Sequence, residues 1–300
     1  YGELRYDWKL FDTITITPRL QAKRQYPWNS LGSPSETDEI VFYNKVADRY
    51  RGGVTIAWDA LPTLSFLVGD ELMLDDAERL ATTPGGEEVN TFFGPDKQAS
   101  VSYWTEAAFG QVLVTTPLVN ITAGARYEYQ NQFGPSFVPR VALTRSFDRL
   151  SVKLLVSGAF KAPGIENINI NPKIRPERTR VYEAEVGYEL SDDVSLSANA
   201  FDITIDGPIV YTYDDATQLE GYENFASTGT RGVEVQGRMR EAWGSITLGY
   251  SYASADGKNF VDLYRAGSPD QMRGMPGQKL TALGIFKLSD HVSIAPSLVP

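Results

Sequence analysis

A chain that turns tightly at one end of its strands and loosely at the other has few folds open to it. This sequence does so throughout. Short turn signals lie near residues 10–12, 59–63, 116–118, 147–149, 190–193, 241–244 and 288–291, each between two runs of strand character. Between those turns sit longer segments rich in Gly, Pro, Asn and acidic residues, at 26–44, 70–97, 130–136, 162–178, 206–228 and 254–275. Connections of that length are uncommon in compact domains, where the median is about 4–6 residues. Short turns on one side and long loops on the other characterise barrels that cross an outer membrane.

The strands carry a matching periodicity. From Ile121 to Tyr129 the odd positions are Ile121, Ala123, Ala125, Tyr127 and Tyr129, while Thr122, Gly124, Arg126 and Glu128 fill the even ones. The next example sets Tyr182, Ala184, Val186, Tyr188 and Leu190 against Glu183, Glu185, Gly187 and Glu189. Further on, Val233, Val235 and Met239 oppose Glu234, Gln236, Arg238 and Arg240, and Ile246, Leu248, Tyr250 and Tyr252 share one face. Alternate strand residues point to opposite faces, so each strand has an apolar side and a charged side. A water-soluble sandwich alternates as well, and length separates the two. Several runs reach about ten residues, against about 5–6 for globular strands and about 9–11 for a tilted membrane strand. Trp58, Tyr127, Tyr129, Tyr188, Trp243, Tyr250 and Tyr252 stand near strand ends, where a membrane barrel carries its aromatic girdles.

Two stretches break the pattern. The apolar phase is even from Val194 to Ala200 but odd at Phe201, Ile203 and Ile205, which predicts a bulge or inward-turned side chains near the loop end. From Leu280 to Leu288 both faces are apolar, and periodicity offers no reason. Counting strands on either side of the turns predicts an all-β, antiparallel transmembrane barrel wall of about fourteen strands, since closure removes sheet edges.

Composition narrows the function. Hydrophobic residues are 42% of the chain, which excludes wholesale disorder, yet no run approaches the ~20 continuous apolar residues of a spanning helix. A net charge of −10 argues against nucleic acid, whose phosphates need a basic face. The absence of Cys removes disulfides, thiol nucleophiles and thiolate metal sites. The one histidine, His291, sits in a tight turn beside Ser289 and Asp290, and reads as a solvated turn residue. No enzymatic activity and no protein zinc site are expected.

Phe137-Val138-Pro139-Arg140-Val141-Ala142-Leu143 and Ala159-Phe160-Lys161-Ala162-Pro163, with the segments around them, resemble the barrel of a TonB-dependent outer-membrane receptor over roughly residues 69–300: the first is similar to the family's SPR-hydrophobic strand start and the second to its G-F-R-A-P segment. Asn171-Pro172-Lys173-Ile174-Arg175-Pro176-Glu177 resembles N-P-x-L-x-P-E, and Tyr182-Glu183-Ala184-Glu185-Val186-Gly187 resembles Y-E-x-G. Phe109-Gly110-Gln111, Thr122-Ala123-Gly124-Ala125-Arg126-Tyr127, Thr230-Arg231-Gly232-Val233-Glu234 and Pro276-Gly277-Gln278-Lys279-Leu280 follow in the family's order. The departures are Ala159 for Gly, Lys161 for Arg, Gly164 for Ser and Gln278 for His.

The resemblance implies a roughly 22-stranded barrel occluded by a plug domain. Residues 1–300 then form part of the barrel domain. The plug and the last strands lie outside the chain, which starts at Tyr1 and stops at Pro300 within strand-like sequence. It further implies uptake of a scarce solute, siderophore-bound iron or another nutrient, across a Gram-negative outer membrane. The partners are outer-membrane lipid, the receptor's own plug, a TonB complex acting through the plug, and a small-molecule or metal-chelate substrate. Two other readings stay open: a non-transporting structural or adhesive barrel, and a soluble β-rich sandwich or propeller that binds a ligand.

Two sets of residues are candidates for function. Arg126, Arg140, Lys153, Glu183, Glu185, Glu234 and Arg238, with Glu128 and Arg240, belong to the polar strand faces and would meet the lumen and plug. Phe92, Phe93, Tyr211, Tyr213, Asp214, Asp215 and Tyr222 lie in loops and are candidates for substrate recognition. Acidic residues Asp70, Glu71, Asp75, Asp76, Glu78, Glu87 and Glu88 are read as part of the first of those loops. Their oxygens have the chemistry calcium takes, but EF-hand spacing is absent, so no cofactor is assigned.

Overall fold

A computed structural model of the chain describes residues 1–26, 45–79, 100–214 and 219–298. Strands β1 (Gly2–Arg5), β2 (Trp8–Phe11), β3 (Ile14–Gln25), β4 (Lys45–Leu61), β5 (Leu64–Arg79), β6 (Ser100–Thr115) and β7 (Asn120–Gln130) come first. They are followed by β8 (Gly134–Phe147), β9 (Leu150–Lys161), the one-and-a-half-turn helix α1 (Ile165–Ile170), β10 (Glu177–Glu189) and β11 (Val194–Asp206). The last third holds β12 (Ile209–Asp214), β13 (Leu219–Asn224), β14 (Ser227–Glu241), β15 (Gly244–Ser254), β16 (Arg265–Ala266), β17 (Ser268–Met272), β18 (Gln278–Ser289), β19 (Val292–Ile294) and β20 (Ser297–Leu298).

One antiparallel sheet takes the order β1-β3-β4-β5-β6-β7-β8-β9-β10-β11-β14-β15-β18-β19. Since β2 also pairs with β3, and β20 with β18, the sixteen strands fill fourteen positions, matching the sequence-based count. Among the described residues the sheet is not closed. No described helix is long and apolar enough to cross a membrane, a statement that does not bear on strands.

Successive hairpins are staggered in one sense. Ile14 at the start of β3 pairs with Trp58, yet β4 runs on to Leu61; Leu64 pairs with Val114, and the β6–β7 turn lies beyond Thr115. Strands offset in this way must tilt, which is the condition for a sheet to curl into a barrel. The two-residue hairpin turns of this sheet all fall at the same end, and Asp148 adopts a positive φ of 49° in one of them, a conformation Asp tolerates better than most residues.

The burial pattern excludes a sandwich. On β10, Tyr182 (51% exposed), Val186 (43%) and Tyr188 (48%) face out, while Glu183 and Glu185 on the opposite face are half-buried. Large apolar side chains are exposed along nearly every strand, and only ten described hydrophobic residues are buried. A soluble sandwich hides its apolar face between two sheets; here that face is outermost, as in a wall surrounded by lipid. Trp58 stacks on Phe66 and Trp243 on Phe286 near the tight-turn end, with ring centroids 5.5 and 5.6 Å apart. At the loop end Trp104 and Tyr129 pair at 5.4 Å.

Several sequence-based boundaries change. Residues 70–79 are strand, not loop: β5 runs to Arg79 and pairs with β4 and β6 along that length. Its acidic residues mimic loop composition because β4, β5 and β6, at 16–17 residues, outlast the ~9–11 a bilayer crossing needs. The segment 130–136 is likewise only a three-residue turn, Asn131–Phe133, before β8. No bulge occurs in β11, whose register to β10 and β14 is unbroken. Phe201, Ile203 and Ile205 therefore point inward, and it is Asp202, Thr204 and Asp206 that continue the outer face near the rim. On β18, register places Leu283 and Ile285 on the inner face opposite Thr247 and Ser245. That strand is apolar on both sides.

Val186 sits on the outer face, midway along β10. Val186→Arg is expected to cost about 2–4 kcal/mol near the bilayer midplane, read as a lowered urea midpoint in bilayers. Unchanged stability would mean the strand phase is reversed.

Candidate functional site

The polar strand faces form one charged inner wall. Residues paired across neighbouring strands share a face, so the ladders place Arg51, Glu71, Arg126 and Glu128 together on β4, β5 and β7. Arg126 bonds Glu71 at 2.9 Å and Glu128 at 2.8 Å, and Arg51 shares the Glu71 carboxylate. Between β5 and β7, Ala107 presents only a methyl group, so the chain of charges passes over β6 unobstructed. Arg126 is also positioned from below. Its guanidinium lies 5.8 Å from the Phe109 ring centroid, and that ring lies flat on Gly69, where a Cβ would come within 2.3 Å of it.

A second group joins Lys153 to Glu183 at 3.0 Å and to Glu185 at 3.4 Å. Arg140, Glu234 and Arg238 form no ion pair among the described residues. One ladder row carries Glu185, Asn199, Glu234, Ser251 and Lys279 side by side across five strands. The Asn199 Oδ1, between Glu185 and Glu234 in that row, is buried without a hydrogen-bond partner among the described residues. These inner charges are partly hydrated, which lowers both their desolvation cost and the strength of each pair.

The second candidate region lies beyond the strand ends. Segment 206–228 is not irregular throughout: it contains the β12–β13 hairpin, where Tyr211 opposes Tyr222 in an edge-to-face pair at 5.6 Å. Tyr211 and Tyr213 are about half-exposed. The backbone of Asp214 ends β12, whereas Asp215, Phe92, Phe93, Glu87 and Glu88 lie outside the described residues. Glu71 and Asp75, read from sequence as loop acids, are instead inner-wall partners of Arg126 and Arg49, the latter at 2.5 Å. Asp70 continues the outer face of β5. Among the described residues no three acidic or histidine side chains gather as a metal site.

Three residues escaped the sequence reading because their partners are far along the chain. Asn171 Nδ2 donates to Tyr222 O at 2.8 Å. Asn224 accepts from Arg175 N–H at 2.8 Å and donates to Arg175 O and Gly207 O at 3.0 and 2.8 Å. Glu177 accepts from Ile209 N–H at 2.9 Å and pairs with Lys161 at 3.2 Å. The proline-studded motif at 171–177 thus acts as a fastening for the neighbouring hairpin.

The family model described as "TonB dependent receptor-like, beta-barrel" matches residues 2–287. A search of curated proteins finds no match. Similar solved structures include a siderophore receptor, PirA, of Acinetobacter baumannii (14% identity, TM-score 0.69, covering 98% of this chain and 48% of that one). A mutant of the ferric enterobactin receptor PfeA of Pseudomonas aeruginosa matches at 15% identity and TM-score 0.73, over 98% and 47% of the two chains. The iron transporter FrpB of Neisseria meningitidis matches at 12% and 0.67, over 98% and 49%. The chain spans about half the length of these proteins. At such identities the likeness shows the fold.

Gly69→Ala is expected to push Phe109 off its seat and cost about 1–3 kcal/mol, the usual range for overpacking. Unfolding in urea measures it, and Phe109→Leu in the same chain is expected to recover part of the loss.

Proposed function

The chain belongs to the TonB-dependent receptor β-barrel family, and from that premise we propose that it forms the wall of an outer-membrane receptor importing a siderophore-type iron chelate, driven by a TonB complex. The observation that carries this reading is the wall itself: an apolar outside, and inside it a largely charged, partly hydrated face, with apolar residues on β18 and at the rim end of β11. Such a face suits a lumen that is filled reversibly. Charged contacts in water are individually weak and exchange readily, whereas an oily lining would hold a filling domain fast. The descriptions of the similar structures as siderophore receptors and an iron transporter support an iron chelate as cargo.

Two roles divide the inner charges. Arg126, Lys153 and Glu183 are engaged with partners on neighbouring strands and stiffen the wall. Arg140, Glu234 and Arg238, with Glu185, which shares Lys153 with Glu183, keep capacity for complementary groups on a plug, with the row around Asn199 as the focus. Tyr211, Tyr213 and Tyr222 on the hairpin, with Phe92, Phe93, Asp214 and Asp215, are the recognition residues of this reading. No bound metal or cofactor is invoked beyond the iron of the cargo.

Uptake of radiolabelled iron by cells that carry the complete receptor and lack other siderophore receptors tests the proposal. Chelate-dependent uptake that vanishes when TonB is deleted is expected. Equal uptake without TonB, or none from catecholate, hydroxamate or haem iron, would reject it. Glu185→Ala combined with Glu234→Ala is expected to loosen the plug and raise entry of a bulky antibiotic. Unchanged entry would remove those two carboxylates from the plug contact.

A further inference from the structure

Toward the tight-turn end of the wall, β18 departs from the charged inner face. Its register puts Leu283 between Thr247 and Ser297, and Ile285 beside Ser245. Lipid is not the reason for these two side chains. The outer face of the same strand already presents Leu280, Ala282 and Phe286, and Phe286 stacks on Trp243. With only Ser and Thr as printed partners across the strands, Leu283 and Ile285 stand proud of the inner wall and are 46% and 41% exposed. Apolar surface left against a hydrated lumen is unfavourable, so a partner that covers it gains by doing so.

The surroundings of this ridge carry charge of one sign. Its ladder rows continue across Thr247 to Arg238 and across Ser245 to Arg240. Lys287 follows Ile285 on the same face. Arg238 and Arg240 are exposed, and neither forms an ion pair among the described residues. The inner-face acid at this level is Glu189, which lies beyond Ser195 from Arg238. Higher on the wall the sign is reversed, where Glu185 and Glu234 flank Asn199. A raised apolar ridge bordered by unpaired cations complements a segment that sets carboxylates beside an aliphatic or aromatic side chain. The ridge points away from lipid and lies at the end opposite the long connections, so the occupant it fits is the domain that fills the lumen.

We propose that Leu283, Ile285, Arg238 and Arg240 form a standing dock for an acidic, apolar segment of the receptor's own plug, and that this contact stays closed while the hydrated remainder of the wall lets the plug go. The persistence rests on the transport reading above. An apolar contact whose charged border excludes water is the strong part of an interface, whereas hydrated ion pairs exchange readily. The plug is therefore released on one side and held on the other.

Photo-crosslinking in cells that carry the complete receptor tests the dock. p-Benzoylphenylalanine, an apolar crosslinker, replaces Leu283 or, for the hydrated row, Ser251. From position 283 a crosslink to a carboxylate-bearing plug peptide is expected. During TonB-driven uptake of an iron chelate its yield is expected to hold while the yield at position 251 falls. Crosslinks from position 283 to lipid, to a second copy or to no plug peptide overturn the dock, and a yield that falls in step with position 251 overturns its persistence. Leu283→Ser with Ile285→Ser is expected to speed hydrogen–deuterium exchange in the crosslinked plug peptide by about tenfold or more. Arg238→Ala with Arg240→Ala is expected to act in the same direction, with heat-modifiable gel mobility retained in both variants as the sign of an intact barrel. Unchanged exchange in both overturns the dock. A plug crosslink in a receptor that takes up no chelate leaves the dock standing and rejects the transport reading, and the persistence with it.

Discussion

Hydrocarbon offers no hydrogen bonds, so each backbone N–H and C=O within it must be satisfied by the protein. That constraint organises this chain. From β3 to β11 each strand is laddered to the strands before and after it in sequence, and the order is interrupted only where β12–β13 and β16–β17 leave the sheet beyond the rim. With the backbone satisfied by neighbours alone, the side chains need no interior core. They divide instead between two solvents, with apolar ones outward and charged ones inward except on β18 and at the rim end of β11.

The division has consequences for how the inner wall is built. Charges on a curved inner face crowd each other, and small residues give them room: Ala107 lets the Glu71–Arg126 contact cross β6, and Gly69 leaves space for Phe109 to lie beneath Arg126. Nearer the rim, Phe201 lies over Gly232 in the same manner, where a Cβ would come within 2.7 Å of the ring. At these two positions a facing glycine makes room for an aromatic ring inside the wall.

Much of this was legible in the sequence, because period-two alternation and tight turns are local signals. Tyr182–Leu190 could be assigned to its faces from nine residues, and the strand count followed from the turns. Composition misled where strands leave the membrane. Asp70–Arg79 carries loop-like acids because its upper half meets water on both sides, and Phe201, Ile203 and Ile205 turn inward because lipid no longer asks for them outside. The fastening by Asn171 and Asn224 could not be read at all, as their partners lie 49–51 residues away. Nothing in a local pattern separates such an asparagine from one that faces solvent. The candidates Phe92, Phe93 and Asp215 rest on the sequence alone.

The rim is uneven. β4, β5 and β6 rise well past the membrane, whereas β7 stops at Gln130 and turns back through Asn131–Phe133, so residues 100–104 of β6 stand without a β7 partner. The described wall thus has a parapet on one side and a low sill on the other, and the lengths of the strands set that asymmetry.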